Sequence, residues 1–340
     1  MLRKIIPFVV GLGLMAAVPA AAQTTLTVST WVPPQHQINT IILPEWFALV
    51  EKATEGRVKF RVLPKTAGST AGQIDAIRDG LADVGYTAHA YIPGRFTLQE
   101  MAELPLLGET PVESGVAYWR IFKKHLEKFD EHKGVVVLSL MVSEGRLHNT
   151  SRDVKSLDDM KGLKVRTPGG ATIEIAKLLG MVPVQKPISE IYELLSTGVV
   201  DAAMMPMETV QSFKLLDKLT HTLVLPGGLY NSSYSLFINP EKFASLSPKD
   251  QDAIRKVSGE TFARIWGRTT TAGGEKAEEA AIAQGNKVVR ADAELTKAVR
   301  AALQPLEQKW IADAKAKGLA NAAEVLEELR AEAEKVKQGK

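Results

Sequence analysis

Two arginines twenty positions apart have the chemistry to hold an anion. Arg146 lies in Ser-Glu-Gly-Arg-Leu-His-Asn after the apolar run Val135 to Val142, and Arg166 ends Lys161-Gly162-Leu163-Lys164-Val165-Arg166, ahead of Thr167-Pro168-Gly169. Each follows or ends a segment that reads as a strand, and a side chain at a strand's carboxyl end faces the crevice where open α/β sheets take ligands. A planar guanidinium grips a carboxylate through two parallel charge-assisted hydrogen bonds. The plainer alternative for either residue is an ion pair with a neighbouring acid.

Catalytic signatures are missing by comparison. G-x-S-x-G, H-E-x-x-H, G-x-x-x-x-G-K and paired-Cys metal sites do not occur in the sequence. His125 and His132 fall in a Lys/Glu-rich helical stretch and its exit, and Asp158-Asp159 in a surface turn, where solvated faces are the simpler reading. No acid cluster calls for a metal, and no cofactor is implied. An enzyme would have to be a periplasmic hydrolase or isomerase with His36 or His89 as general base.

Other groups fit the wall of a cleft. Thr30-Trp31-Val32-Pro33-Pro34-Gln35-His36 puts an aromatic face and a neutral imidazole on a stiff loop, and Thr87-Ala88-His89-Ala90-Tyr91 repeats the theme. Trp31 as core packing and His36 as a loop histidine tied to backbone are the alternatives. Met204-Met205-Pro206-Met207 closes a strand with polarizable, apolar groups that suit an apolar or aromatic body better than a sugar. Alternate strand residues face opposite sides, so at least one methionine belongs to the core, and Met205 is assigned to the cleft. Asn231 precedes a strand expected to cross between lobes.

The elements that must position these residues alternate as strand and helix, the pattern of an α/β chain. Leu26 to Thr30, Val58 to Val62 and Ala82 to Tyr86 read as strands, with a helix started by Pro44 and closed by Gly56 between the first two. Thr110-Pro111-Val112-Glu113 is a capping box opening a helix to about Phe129. Ala171 to Leu179 and Pro187 to Leu195 read as helices, and Val199 to Met205, Leu223 to Leu225 and Ser233 to Ile238 as strands. Ser247-Pro248-Lys249-Asp250 caps a helix expected to run with few breakers to about Gln284, roughly 50 Å at 1.5 Å per residue, with Gly273-Gly274 as its only strong interruption.

Export is expected from the first 22 residues. Arg3 and Lys4 precede an apolar run from Ile5 to Val18, and Pro19-Ala20-Ala21-Ala22 offers a cleavage site before Gln23. That run is short for a bilayer, and nothing later approaches about 18 uninterrupted apolar residues, so the mature chain is expected to be soluble and periplasmic. The chain has no Cys, hence neither a disulfide framework nor a lipoprotein anchor. Its net charge of +3 drops to +1 without Arg3 and Lys4, which points to no nucleic-acid or anionic-membrane partner. About 318 mature residues suffice for two lobes.

Four stretches resemble the substrate-binding proteins of the tripartite ATP-independent periplasmic (TRAP) transporters, the dicarboxylate-binding-protein-like family. They are Glu51 to Val58 (E-K-A-T-E-G-R-V), Asp79 to Val84 (D-G-L-A-D-V), Asp158 to Pro168 (D-D-M-K-G-L-K-V-R-T-P) and Glu190 to Ala202 (E-I-Y-E-L-L-S-T-G-V-V-D-A). The resemblance implies a two-lobed periplasmic binding protein fold of class α/β, with chain crossovers between lobes and a long bracing helix. Residues 23–144 with 231–271 would form one lobe, and 145–230 with 272–340, including the C-terminal helices, the other.

It also implies that Arg166 pairs with a ligand carboxylate and that Arg146 assists. The expected ligand contacts are therefore Arg166, Arg146, Trp31, His36, His89, Met205 and Asn231. The expected function is capture of a small organic carboxylate, either a monocarboxylate with an apolar or aromatic body or a 2-oxo or hydroxy acid. A monomer would deliver it to the small and large membrane subunits of a permease. A sensory receptor of the same fold serving a membrane kinase is the alternative.

Overall fold

The computed structural model describes residues 23–340 apart from Leu106, so the expected export signal lies outside the described residues. Strands β1 (Thr24–Val28), β2 (Val58–Val62) and β3 (Val84–Ala88) are parallel, with helix α1 (Leu43–Ala53) between the first two and α2 (Gln73–Arg78) before the third. Helix α3 (Pro111–Ile121) opens on the capping box: Thr110 accepts from the Glu113 amide and the Glu113 carboxylate accepts from the Thr110 amide. Helical turns then continue to Phe129.

The fold turns on strand β4 (Val136–Asn149), fourteen residues long. Its successors are β5 (Lys164–Thr167), α4 (Ala171–Leu178), β6 (Val182–Gln185), α5 (Ile191–Ser196), β7 (Ala202–Met205), α6 (Met207–Ser212), β8 (His221–Val224) and β9 (Tyr230–Ile238). Residues 136–145 of β4 pair antiparallel with β9, which pairs with β3, and its last residues pair with β7 and β8. One strand thus belongs to two sheets, ordered β2-β1-β3-β9-β4 and β4-β7-β5-β6. Beyond β9 come α7 (Pro240–Ala244), α8 (Pro248–Lys256), α9 (Glu260–Ala283), β10 (Lys287–Arg290), α10 (Ala293–Ala316) and α11 (Ala322–Lys337).

Besides an apolar cluster that joins residues of both halves, each half has one of its own. Leu26, Trp46, Tyr86 and Ile238 pack with Phe262 and Trp266 of α9, while Ile191, Leu194, Met205 and Val210 pack with Ala277 and Ala281 of the same helix. At about 1.5 Å per residue the 24 residues of α9 run about 36 Å. That length lets one helix brace both lobes, so the molecule is α/β, two-lobed, with crossovers through β4 and β9.

Two expectations about the C-terminal third are corrected. The single helix from residue 247 to 284 is two helices, because Gly259 sits at φ +53 and interrupts them. Its amide donates to the Leu138 carbonyl at 2.8 Å, and an added Cβ would fall 2.8 Å from the Trp119 indole, so the reversal is available to glycine alone. Gly273-Gly274 leaves α9 unbroken. The C-terminal helices also do not attach to one side only: α10 packs on α4, but α11 packs on α3, within residues 23–144.

Candidate ligand-binding site

Between the two halves lies a cleft with about 600 Å³ of empty space including its mouth. Its wall combines the β1 loop (Trp31, His36), the turn after β3 (Ala90, Tyr91), the ends of β5 and β7 (Arg166, Met204, Met205) and the start of β9 (Tyr230, Asn231).

Arg166 is only 2% exposed, which is decisive because a buried charge must be paired or solvated by hydrogen bonds. Its Nε donates to the Lys186 carbonyl (2.8 Å), Nη1 to the Met204 carbonyl (3.2 Å) and Nη2 to the Tyr91 hydroxyl (3.4 Å). Strand register explains this reach: Arg166 pairs with Val184 on one side and Ala203 on the other, so the neighbouring carbonyls sit beside its side chain. A guanidinium has five N–H groups, so these three bonds leave one on each terminal nitrogen. That remaining fork matches the two oxygens of a carboxylate. Among the described residues no carboxylate of the protein pairs with it.

Around this cation the wall is apolar and aromatic. The Trp31 indole donates to the Tyr86 carbonyl at 3.1 Å and stands 5.0 Å from the Tyr86 ring and 5.6 Å, edge-on, from Tyr91. His36 is buried against Phe213, its Nδ1 accepting from the Ile38 amide at 3.2 Å. Burial lowers its pKa to about 4, leaving the ring neutral at ordinary pH. Met204 and Met205 both line the cleft, although they join different apolar clusters, because the cleft opens at the end of β7. Asn231 also lines it and donates to the Leu104 carbonyl at 3.0 Å.

Arg146 and His89 lie outside the lining of this cleft. Arg146 lies within β4, opposite Met205, not beyond the strand's end. Its guanidinium is held by Glu144 (3.0 Å) and Glu278 of α9 (2.6 Å), in the wall of a separate recess. These two carboxylates make it a strut between β4 and the bracing helix. His89 lies behind the cleft wall, 3.0 Å from the Ser233 hydroxyl and 3.0 Å from Nε2 of His132, and burial drives its pKa well down.

Tyr91, Glu103 and Glu208 are among the wall residues that went unpredicted. The Tyr91 hydroxyl accepts from Arg166 and from the Ile188 amide (3.3 Å), tying the β3 turn to the opposite lobe. Glu103 accepts from the Ser233 hydroxyl (2.9 Å) and the Ala171 amide (3.2 Å), and burial raises its pKa to about 8. Glu208, on α6, is raised to about 7 by burial. Tyr91 stood in a segment already picked out for its aromatic content. The two acids carry no motif, and only the folded chain brings them to the cleft.

Comparison with known proteins agrees with this arrangement. The sequence model of the bacterial extracellular solute-binding protein family 7 matches residues 28–313. An outer membrane transporter protein of Comamonas testosteroni, TsaT, is 32% identical over 94% of this chain and 96% of its own. A TRAP periplasmic solute-binding protein of Bordetella bronchiseptica, solved with bound (R)- and (S)-mandelate, superposes with a TM-score of 0.88 at 41% identity over 92% of this chain and 99% of its own. One from Rhodoferax ferrireducens, in complex with copurified benzoate, gives a TM-score of 0.87 at 28% identity over 93% and 99%. A two-lobed sheet shared through β4, a helix bracing both lobes and a family match over most of the chain lead to one assignment: this protein belongs to bacterial extracellular solute-binding protein family 7.

Proposed function

We propose that this protein is a non-catalytic periplasmic receptor that clasps an aromatic monocarboxylate between its lobes and delivers it to a TRAP-type permease of small and large membrane subunits. The observation that carries the reading is Arg166: a buried guanidinium with one N–H to spare on each terminal nitrogen, set in a wall of Trp31, Tyr91, Met204, Met205 and Phe213. The cation takes the carboxylate and the apolar wall takes the ring. A polyhydroxylated sugar acid would set much of its polar surface against methionine sulfur and aromatic carbon. Support for the ligand class comes from the relatives with bound mandelate and copurified benzoate.

Capture needs no chemistry beyond this, and the neutral, backbone-tied His36 is poorly placed to act as a base. A panel of organic acids in a thermal-shift assay tests the reading, since ligand at about 100 times its Kd stabilises the folded state by about 2.7 kcal/mol. Aromatic monocarboxylates should raise the melting temperature and be recovered unchanged after incubation. A response confined to uronic or sialic acids, or turnover of the bound acid, overturns it.

A further inference from the structure

Beyond the carboxylate clamp, the cleft contains an acid whose role the clamp does not explain. Glu208 is the second residue of α6, directly after the Met204-Met205-Pro206 segment that floors the cleft. Its Oε2 is sealed from solvent and has no hydrogen-bond partner. Such orphaned buried oxygens are rare in folded proteins, and where one lines a ligand site the ligand is the natural partner.

The neighbouring Thr209 hydroxyl bears on this carboxyl and lowers its pKa against the effect of burial, but no hydrogen bond reaches Oε2. Within the cleft Arg166 is the single cationic side chain among the described lining residues, and its bonds run to Lys186, Met204 and Tyr91. Glu103, the other acid of the wall, has both oxygens engaged by Ser233 and Ala171. Glu208 also borders the recess that contains Arg146, but that guanidinium is held by Glu144 and Glu278. His36 is neutral, and the phenols of Tyr86 and Tyr234, which sense Glu208 electrostatically, stay protonated.

The chemistry of a lone carboxyl then narrows the ligand. Raised to about 7, the group is present in both forms near neutrality. A ligand ammonium pairs with the ionised form alone, a second carboxylate with the protonated form alone, and a bare ring edge with neither. A hydroxyl serves both forms, since it donates to a carboxylate and accepts from a carboxylic acid.

We infer that Glu208 is a specificity-determining residue that selects aromatic monocarboxylates bearing a hydroxyl, on the ring or on the carbon next to the carboxylate, by supplying the partner that hydroxyl requires. The inference rests on the preceding reading, in which Arg166 holds the carboxylate.

Isothermal titration with two matched pairs tests it: mandelate against phenylacetate for a side-chain hydroxyl, and 3-hydroxybenzoate against benzoate for a ring hydroxyl. The wild type should prefer the hydroxylated member of one pair by about tenfold or more, and the responding pair locates the hydroxyl. Glu208→Leu should bring that preference to within about twofold, and Glu208→Gln, which still donates and accepts, should retain part of it. Circular dichroism confirms that each variant folds. A wild type indifferent to the hydroxyl in both pairs, a preference surviving in Glu208→Leu, or tighter binding of phenylglycine than of mandelate overturns the inference. Arg166→Ala separates the two proposals. It should weaken all four acids together, and if it leaves them unchanged while Glu208→Leu still erases the preference, the clamp fails and the selectivity stands. Binding of none of the four overturns both.

Discussion

The hydroxyl of Tyr91 lies 3.4 Å from Nη2 of Arg166 and also accepts from the Ile188 amide at 3.3 Å, so one phenol from the turn after β3 grips the opposite lobe at two points. Both bonds exist only while the lobes are together. A ligand that needs the closed form draws on them, and their loss should appear mainly as faster release. Tyr91→Phe keeps the ring beside Trp31 and removes the hydroxyl. The expected cost is about 1 kcal/mol, roughly fivefold in affinity, measured as an increased dissociation rate by surface plasmon resonance with little change in association.

Arg166 and Arg146 should separate cleanly when each is truncated. Arg166→Ala leaves a ligand anion without its partner in a dry cleft, which costs on the order of 2 to 5 kcal/mol, or roughly thirty- to several-thousand-fold in affinity. Arg166→Lys keeps the charge and loses the fork, so it should also bind markedly worse. Arg146→Ala instead leaves Glu144 without this partner and Glu278 with Arg290 alone. Its effect should fall on stability, by up to about 3 kcal/mol, the lower figure for breaking a fully buried pair. Calorimetric titration and chemical denaturation, run on all three variants, read the two effects apart.

The contrast between these arginines shows what sequence conveys and what it leaves out. Arg166 was legible because a strand end and a family motif converge on it. The placing of Arg146 inside a strand was not legible, because the apolar run stops at Val142 while the strand continues to Asn149, paired to β7 and β8 after its residues turn polar. Strand pairing, not local hydropathy, sets where that strand ends. The capping box at Thr110 and the pattern of the first three strands could be read locally, and the structure keeps them. The break at Gly259 could not, because it depends on Trp119 and Leu138, distant in sequence. Glu103 and Glu208 were invisible for the same reason: a lone acid signals nothing until folding buries it.

Closure should also be sensitive to a single methyl group at Gly169. This residue follows β5, has φ +125, and approaches the Ala90 carbonyl of the opposite lobe so closely that an added Cβ would lie 2.2 Å from that oxygen. Gly169→Ala therefore opposes the approach of the lobes in addition to straining its own backbone, a strain on the order of 1–3 kcal/mol. Small-angle scattering should show the wild type contracting on saturation with an aromatic acid. The variant should remain folded by circular dichroism, bind more weakly, and contract less. A variant that contracts fully would mean that the lobes do not meet at Gly169.

Stability of the ligand-free protein should pass through a maximum on the acid side of neutrality, because two sets of buried groups pull in opposite directions. His36, His132 and His148 have pKa values lowered by burial to about 4, 3 and 3, so the unfolded chain binds more protons than the folded one below 6.5. Their contribution rises with pH until that point. Glu100, Glu103 and Glu208 are raised by burial to about 7, 8 and 7, so above 4.5 the folded chain binds more protons and stability falls as pH climbs towards 8. Between pH 6.5 and 8 the histidines are neutral in both states and the carboxyl effect acts unopposed. Melting temperatures taken from pH 4 to 8.5 should therefore fall across that upper interval. Glu103→Gln should flatten the fall, by an amount on the order of 1–2 kcal/mol at pH 8. Its carbonyl can still accept from the Ala171 amide while its NH₂ donates to the Ser233 hydroxyl, so the variant removes the titration and keeps the contacts. An equally steep fall in Glu103→Gln would show that Glu103 is already ionised in the folded protein at neutral pH.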